Sequence, residues 1–162
     1  MGRMAAQEIE FADTAPLRAE GSAMIAASPA EIWAVLLDYE AWPTWFAGVR
    51  SCRATSDPAT GVGSTRTVSI GGGSTFDERF IAWDEGRLWA FTGIEMKPLA
   101  IRSLVERVTI EDLGPNRTRV TYRMAFDPKP AVKPMALLAR PLISRNLAKA
   151  MRALAREVVS RR

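Results

Sequence analysis

From Val49 to Phe126 β-branched and aromatic residues alternate with polar ones, and the pattern is broken at Asp57-Pro58, Gly61, Gly71-Gly72-Gly73, Asp84-Glu85-Gly86 and Gly114-Pro115-Asn116. Period-two segments separated by breaks this short read as consecutive hairpins of an antiparallel sheet. Strands are expected near residues 49–56, 63–71, 74–83, 87–95, 101–113 and 117–127. The Ala-rich stretch from Leu17 to Ala27 reads as a further strand that stops at Ser28-Pro29.

Two helical regions flank the sheet. Ser28, Pro29 and Glu31 supply an N-cap, a proline at the first helical position and an acid in the first turn, where backbone N–H groups lack partners. Ile32, Trp33, Val35, Leu36 and Leu37 then form a broad apolar face, and Pro43 within Trp42-Pro43-Thr44-Trp45-Phe46 disfavours a continuous helix. Two short helices in a V are expected here. At the other end, Met135, Leu138, Leu142, Leu147, Met151, Leu154 and Val158 mark one side of a long terminal helix. Pro141 should kink it or mark its true start after a looser turn. Residues 1–16 show no sustained period and read as a flexible or loosely docked tail, which leaves 17–162 as a single domain.

Composition limits the chemistry. Of 162 residues, 48% are hydrophobic and five are tryptophan, so a sizeable core can form. Histidine is absent, which removes Ser-His and Cys-His nucleophile pairs and imidazole metal ligands. The single cysteine, Cys52, excludes an intramolecular disulfide and fits a reducing, cytoplasmic setting. No stretch approaches a signal peptide or a membrane span. Neither a metal nor a cofactor is expected, and any catalysis must use carboxylates, Tyr, Lys, Arg or water.

The order of elements, together with Ser28-Pro29-Ala30-Glu31-Ile32-Trp33, Asp38-Tyr39-Glu40-Ala41-Trp42-Pro43-Thr44-Trp45 and the closing Thr118-Arg119-Val120-Thr121-Tyr122, resembles the START-like, helix-grip superfamily of polyketide cyclase/dehydrase and lipid-transport proteins. That resemblance spans roughly residues 17–160. It implies an α+β fold in which a curved antiparallel sheet grips the C-terminal helix and a small hydrophobic ligand lies between them. It carries no shared catalytic motif, so no catalytic residue is assigned.

Strand parity identifies which side chains face inward. Arg66 shares parity with Val68 and Ile70, and Glu78 with Phe76 and Phe80. A hairpin folded about Gly72 sets Val68 opposite Phe76 and Arg66 opposite Glu78, which predicts an interior ion pair. Likewise Glu106 goes with Leu104, Val108 and Ile110, and Tyr122 with Val120, Met124 and Phe126; folding about Pro115 sets Val108 opposite Tyr122. An apolar inner face with a few charges must pair them, wet them or offer them to a ligand. The expected ligand-binding residues are Arg66, Glu78, Phe80, Glu106, Tyr122, Met124 and Leu142. Trp33, Trp42 and Trp45 read as plain core.

Gly71-Gly72-Gly73 is followed by no Gly-Lys-Ser/Thr and reads as a hairpin turn needing positive φ. Residues 129–162 carry nine Lys/Arg against Glu157, a net +8 that leaves the first 128 residues at −4 within the overall +4. Arg145, Lys149, Arg152 and Arg156 share one helical face. The plain reading of such a stripe is a solvated surface; the functional one is transient contact with an anionic membrane. Nucleic acid is not an expected partner, since the strand region is acidic and no reader motif is present. The leading reading is therefore a protein that binds or carries a lipid, polyketide or isoprenoid; the alternatives are a cyclase-like enzyme using cavity carboxylates, Arg and Tyr, and an interaction module acting through the basic helix.

Overall fold

The computed structural model describes residues 1–162. The main sheet is antiparallel throughout and runs β2 (Leu17–Ile25), β8 (Thr118–Pro128), β7 (Ile101–Asp112), β6 (Leu88–Lys97), β5 (Ser74–Asp84), β4 (Thr65–Ile70) and β3 (Val49–Ala54). The expected α+β helix-grip architecture is therefore present, with each expected strand shifted by only a residue or two at its ends. Arg66 pairs with Glu78 and Val68 with Phe76, while Val108 pairs with Tyr122, the registers derived from Gly72 and Pro115. Gly72 and Gly73 adopt φ of 83° and 82°, which a Cβ would strain.

The two short helices form as the sequence dictates. In α2 (Pro29–Leu37), Ser28 and Glu31 cap each other reciprocally, the side chain of each bonding the other's backbone N–H. A 3₁₀ turn over Tyr39–Ala41 leads into α3 (Trp42–Trp45), with Pro43 in its first turn. Trp33, Trp42 and Trp45 are buried in the main core.

The terminal helix α4 (Lys133–Ser160) runs through Pro141 without interruption. It lies so close to β2 that a Cβ at Gly21 would collide with the backbone of Leu147 and Ala148. Its buried face is Leu147, Ala150, Met151, Leu154 and Val158. Met135, Leu138 and Leu142 point outward instead. In an ideal helix Leu147 lies about 140° round from Leu142, five residues away, so a stripe through both cannot be one face. The face that continues the core is Ile143, partly buried against both apolar clusters.

Residues 1–16, expected as a flexible or loosely docked tail, are packed. β6 and β7 pair from Leu88↔Thr109 to Thr92↔Val105 and then part. Into the gap goes β1 (Gly2–Arg3), paired with Met96 and Glu95, followed by Met4, whose N–H bonds the Ile94 carbonyl. Met4 is buried with Leu17, Phe76, Met96, Leu104 and Phe126. The chain then crosses to the convex side, where Gln7 bonds the hydroxyls of Thr92 and Ser103. There α1 (Phe11–Thr14) covers β7 and β8, pinned by Asp13 to Arg107 and Arg123. This cover explains why Val105 and Ala125 are fully buried although their parity is outward.

Candidate functional site

The concave side of the sheet holds a pocket of about 430 Å³ between the strands, α3 and α4. Phe46, Val68, Ile70, Phe76, Met124, Ile143 and Leu147 provide apolar walls, and Arg66, Glu78, Glu106 and Tyr122 form one polar end. The mouth is marked by the exposed lining residues Ala47, Gly48, Gly71 and Asn146.

At the polar end, strand pairing fixes Arg66 beside Glu78, and Arg66 Nε donates to Glu78 Oε2 at 2.7 Å. Both are almost wholly buried, Arg66 being 1% exposed. The guanidinium carbon lies 4.4 Å from the ring centroids of Trp42 and Phe91 and within 5.6 Å of Tyr39, Phe80 and Trp89. A ring face attracts a cation, and guanidinium loses less hydration than ammonium, so an aromatic box suits Arg in particular. Nη1 is buried and has no hydrogen-bond partner.

The neighbouring pair is Glu106 and Tyr122, whose Oη donates to Glu106 Oε2. Burial, reinforced by the nearby Glu78 carboxylate, pushes Glu106 up to about 8, against the hydrogen bond from Tyr122 and the field of Arg66. Burial also pushes Glu78 up, and Arg66 pulls it back. A guanidinium stays charged, so one of the two carboxyls must be its counter-ion. Glu78, in direct contact, takes that role; Glu106, with no cation of its own, keeps its proton at neutral pH. Tyr122 is held well above the ordinary phenol value by burial and by Glu106. Burial likewise raises Tyr39 to about 12 and Cys52 to about 11, so neither is an activated nucleophile.

Of the seven expected ligand-binding residues, Arg66, Glu78, Glu106, Tyr122 and Met124 line this one pocket. Phe80 is buried behind it, 5.3 Å from the Arg66 guanidinium carbon. Leu142 is corrected: it is 56% exposed on the outer face of α4, for the helical-phase reason given above. Its place is taken by Ile143 and Leu147, which the phase of Ala150, Met151, Leu154 and Val158 would have identified. Trp42 and Phe46 were also missed as lining residues, because a tryptophan-rich turn reads as core from sequence. No group of His, Cys, Asp and Glu is arranged to hold a metal ion.

Against known proteins, the model of the family described as polyketide cyclase/dehydrase and lipid transport matches residues 16–159. Uncharacterized proteins of Mycobacterium tuberculosis and Mycobacterium bovis are 30% identical over 148 residues, covering 91% of this chain and 88% of theirs. Among solved structures, a START superfamily protein from Mycobacterium smegmatis superposes with a TM-score of 0.74 at 18% identity over 90% of this chain and 99% of its own. The Zhui aromatase/cyclase from Streptomyces sp. R1128 also gives 0.74, at 17% identity over 90% and 94%. Norcoclaurine synthase from Thalictrum flavum, in complex with dopamine and hydroxybenzaldehyde, gives 0.67 at 18% identity over 100% and 98%. With a family match running from the first long strand to the end of the terminal helix, the chain belongs to the polyketide cyclase/dehydrase and lipid transport family, on a START-like helix-grip fold.

Proposed function

We propose that the protein binds a single small hydrophobic molecule of lipid, polyketide or isoprenoid type, with an acceptor oxygen at the buried end. The observation that carries this reading is a pocket of about 430 Å³, mostly apolar, that ends on Arg66 and Glu106. That volume lies within the range of small-molecule sites, which pair apolar walls with a few placed polar groups. Arg66 Nη1 has no hydrogen-bond partner, and a protonated Glu106 offers an O–H, so the polar end is donor-rich. A carbonyl or enolate oxygen accepts from the Glu106 O–H within the field of the Arg66 guanidinium, whereas an ammonium group would meet that charge.

Native mass spectrometry and organic extraction of the purified protein test for a carried ligand, and Trp42 in the pocket wall gives a fluorescence readout for added ones. Met124→Trp, which fills the pocket, is expected to abolish binding with the fold intact. An empty protein that takes up no lipid, aromatic ketone or isoprenoid, and is indifferent to that substitution, would overturn the reading.

A second reading is favoured by one observation, the protonated Glu106 hydrogen-bonded to Tyr122. An acid titrating near 8 is suited to exchange a proton with a bound carbonyl compound. Turnover of the extracted ligand, lost in Glu106→Gln while affinity persists, would make the protein an enzyme; turnover that survives the change excludes this role.

A further inference from the structure

The outer face of α4 has a composition that neither the fold nor the pocket explains. At about 100° per residue, Met135, Leu138 and Leu142 lie within about 60° of one line along the helix, and the same line continues through Arg145, Lys149, Arg152 and Arg156. All seven are exposed, Met135 at 67% and Leu138 at 84%. One uninterrupted stripe is thus apolar over its first half and cationic over its second. No acidic residue occurs between Lys129 and Arg156. Adjacent exposed leucines are a cost in water unless something covers them.

We propose that this stripe docks on an anionic lipid surface, tilted so that Met135, Leu138 and Leu142 enter the acyl boundary and Arg145, Lys149, Arg152 and Arg156 meet head-group phosphates. Helices with leucines and cations on the exposed side are held at such interfaces by area burial and by attraction to anionic lipid together. The axial grading sets the tilt. Leu138 and Arg156 are 18 residues apart, about 27 Å at 1.5 Å per residue, so a modest slope carries the apolar end below the phosphates while the basic end stays among them. The inserted end is also the pocket end: Leu142 stands one turn before Asn146, at the mouth, and next to Ile143 in its wall. Docked this way, the mouth would face the lipid. Delivery of a ligand across that contact rests on the proposed function; the docking itself does not.

Sedimentation of the full chain with phosphatidylcholine vesicles, with and without phosphatidylglycerol, tests the docking. Binding is expected only with phosphatidylglycerol, and it should weaken as salt rises. Arg152→Gln with Arg156→Gln should lower partitioning by roughly fivefold for each charge removed. Leu138→Glu with Leu142→Glu should abolish it, and because both leucines are exposed the fold, followed by circular dichroism, should persist. Equal binding to both vesicle types, binding to neither, or charge variants that bind like the parent would overturn the proposal. So would a dimer in analytical ultracentrifugation that Leu138→Glu with Leu142→Glu converts to monomer, since a second copy would then cover the face. Ligand uptake measured without vesicles keeps the two proposals apart: vesicle binding without uptake leaves the dock and removes the carrier, and uptake without vesicle binding does the reverse.

Discussion

Replacing Glu106 with Gln should remove most of the pH dependence of stability between pH 5 and 8. Glu106 is raised from the ordinary 4.5 to about 8, so between those values the folded chain holds a proton that the unfolded chain has released. Stability therefore falls as pH rises through that window, by about 1.4 kcal/mol per pH unit and about 5 kcal/mol in all. For a domain of this size that is roughly 10–20 °C in Tm. No histidine titrates within this window, and Glu78, which burial also pushes up, is the other carboxyl that adds to the slope. Glu31, lowered to about 2 by Arg162 and by its cap with Ser28, acts with the opposite sign and in another range: its contribution is present above 4.5 and lost as pH falls through 2. The assay is urea unfolding of the parent and of Glu106→Gln at pH 5, 6.5 and 8. The amide oxygen can still accept from Tyr122, so the two should be alike at pH 5 and diverge in favour of the variant by several kcal/mol at pH 8. A parent whose stability is flat across this range, or a variant with the parent's slope, would refute the protonated, buried Glu106.

Three further outcomes follow from contacts already described. Glu78→Leu strands the Arg66 guanidinium without its counter-ion and should cost about 3–5 kcal/mol in urea unfolding, whereas Arg66→Met with Glu78→Leu should recover most of that loss. Gly21→Ala should lower Tm because its Cβ strikes the α4 backbone at Leu147 and Ala148, with overpacking costs of about 1–3 kcal/mol or more; an unchanged Tm would mean that the helix and β2 are not in contact. Met4→Ala should cost about 2–5 kcal/mol if the N-terminal segment is part of the core, and nothing measurable if it is a free tail.

The registers that place Arg66 against Glu78 and Val108 against Tyr122 were legible because strand parity has only two settings and a glycine or proline turn fixes which one applies. Where that regularity is absent, so was the signal. Trp89 to Gly93 are all buried, since this part of β6 packs on both faces, and alternation that burial has erased cannot be read. A two-residue strand and a four-residue helix are too short to show a period, which hid the packed start of the chain. On α4 two overlapping stripes compete. Leucines mark the outer face before Asn146, while alanines share the inner face after it, so the spacing from Met135 and Leu138 chose Leu142 over Ile143.

The strand that fills the gap between β6 and β7 also orders events in time. Its partners, Glu95 and Met96, lie more than ninety residues downstream, so during synthesis β1 waits while the hairpins that will flank it are made. Contacts of such long sequence separation close late, and a strand of two residues, with few bonds of its own, is among the first to open. Met4 shares its apolar cluster with Phe76, and Phe76 lines the pocket. β1 and Met4 are thus a late-closing seam beside the candidate pocket, and hydrogen exchange at Met4 and Ala5 should run ahead of exchange in β7 and β8.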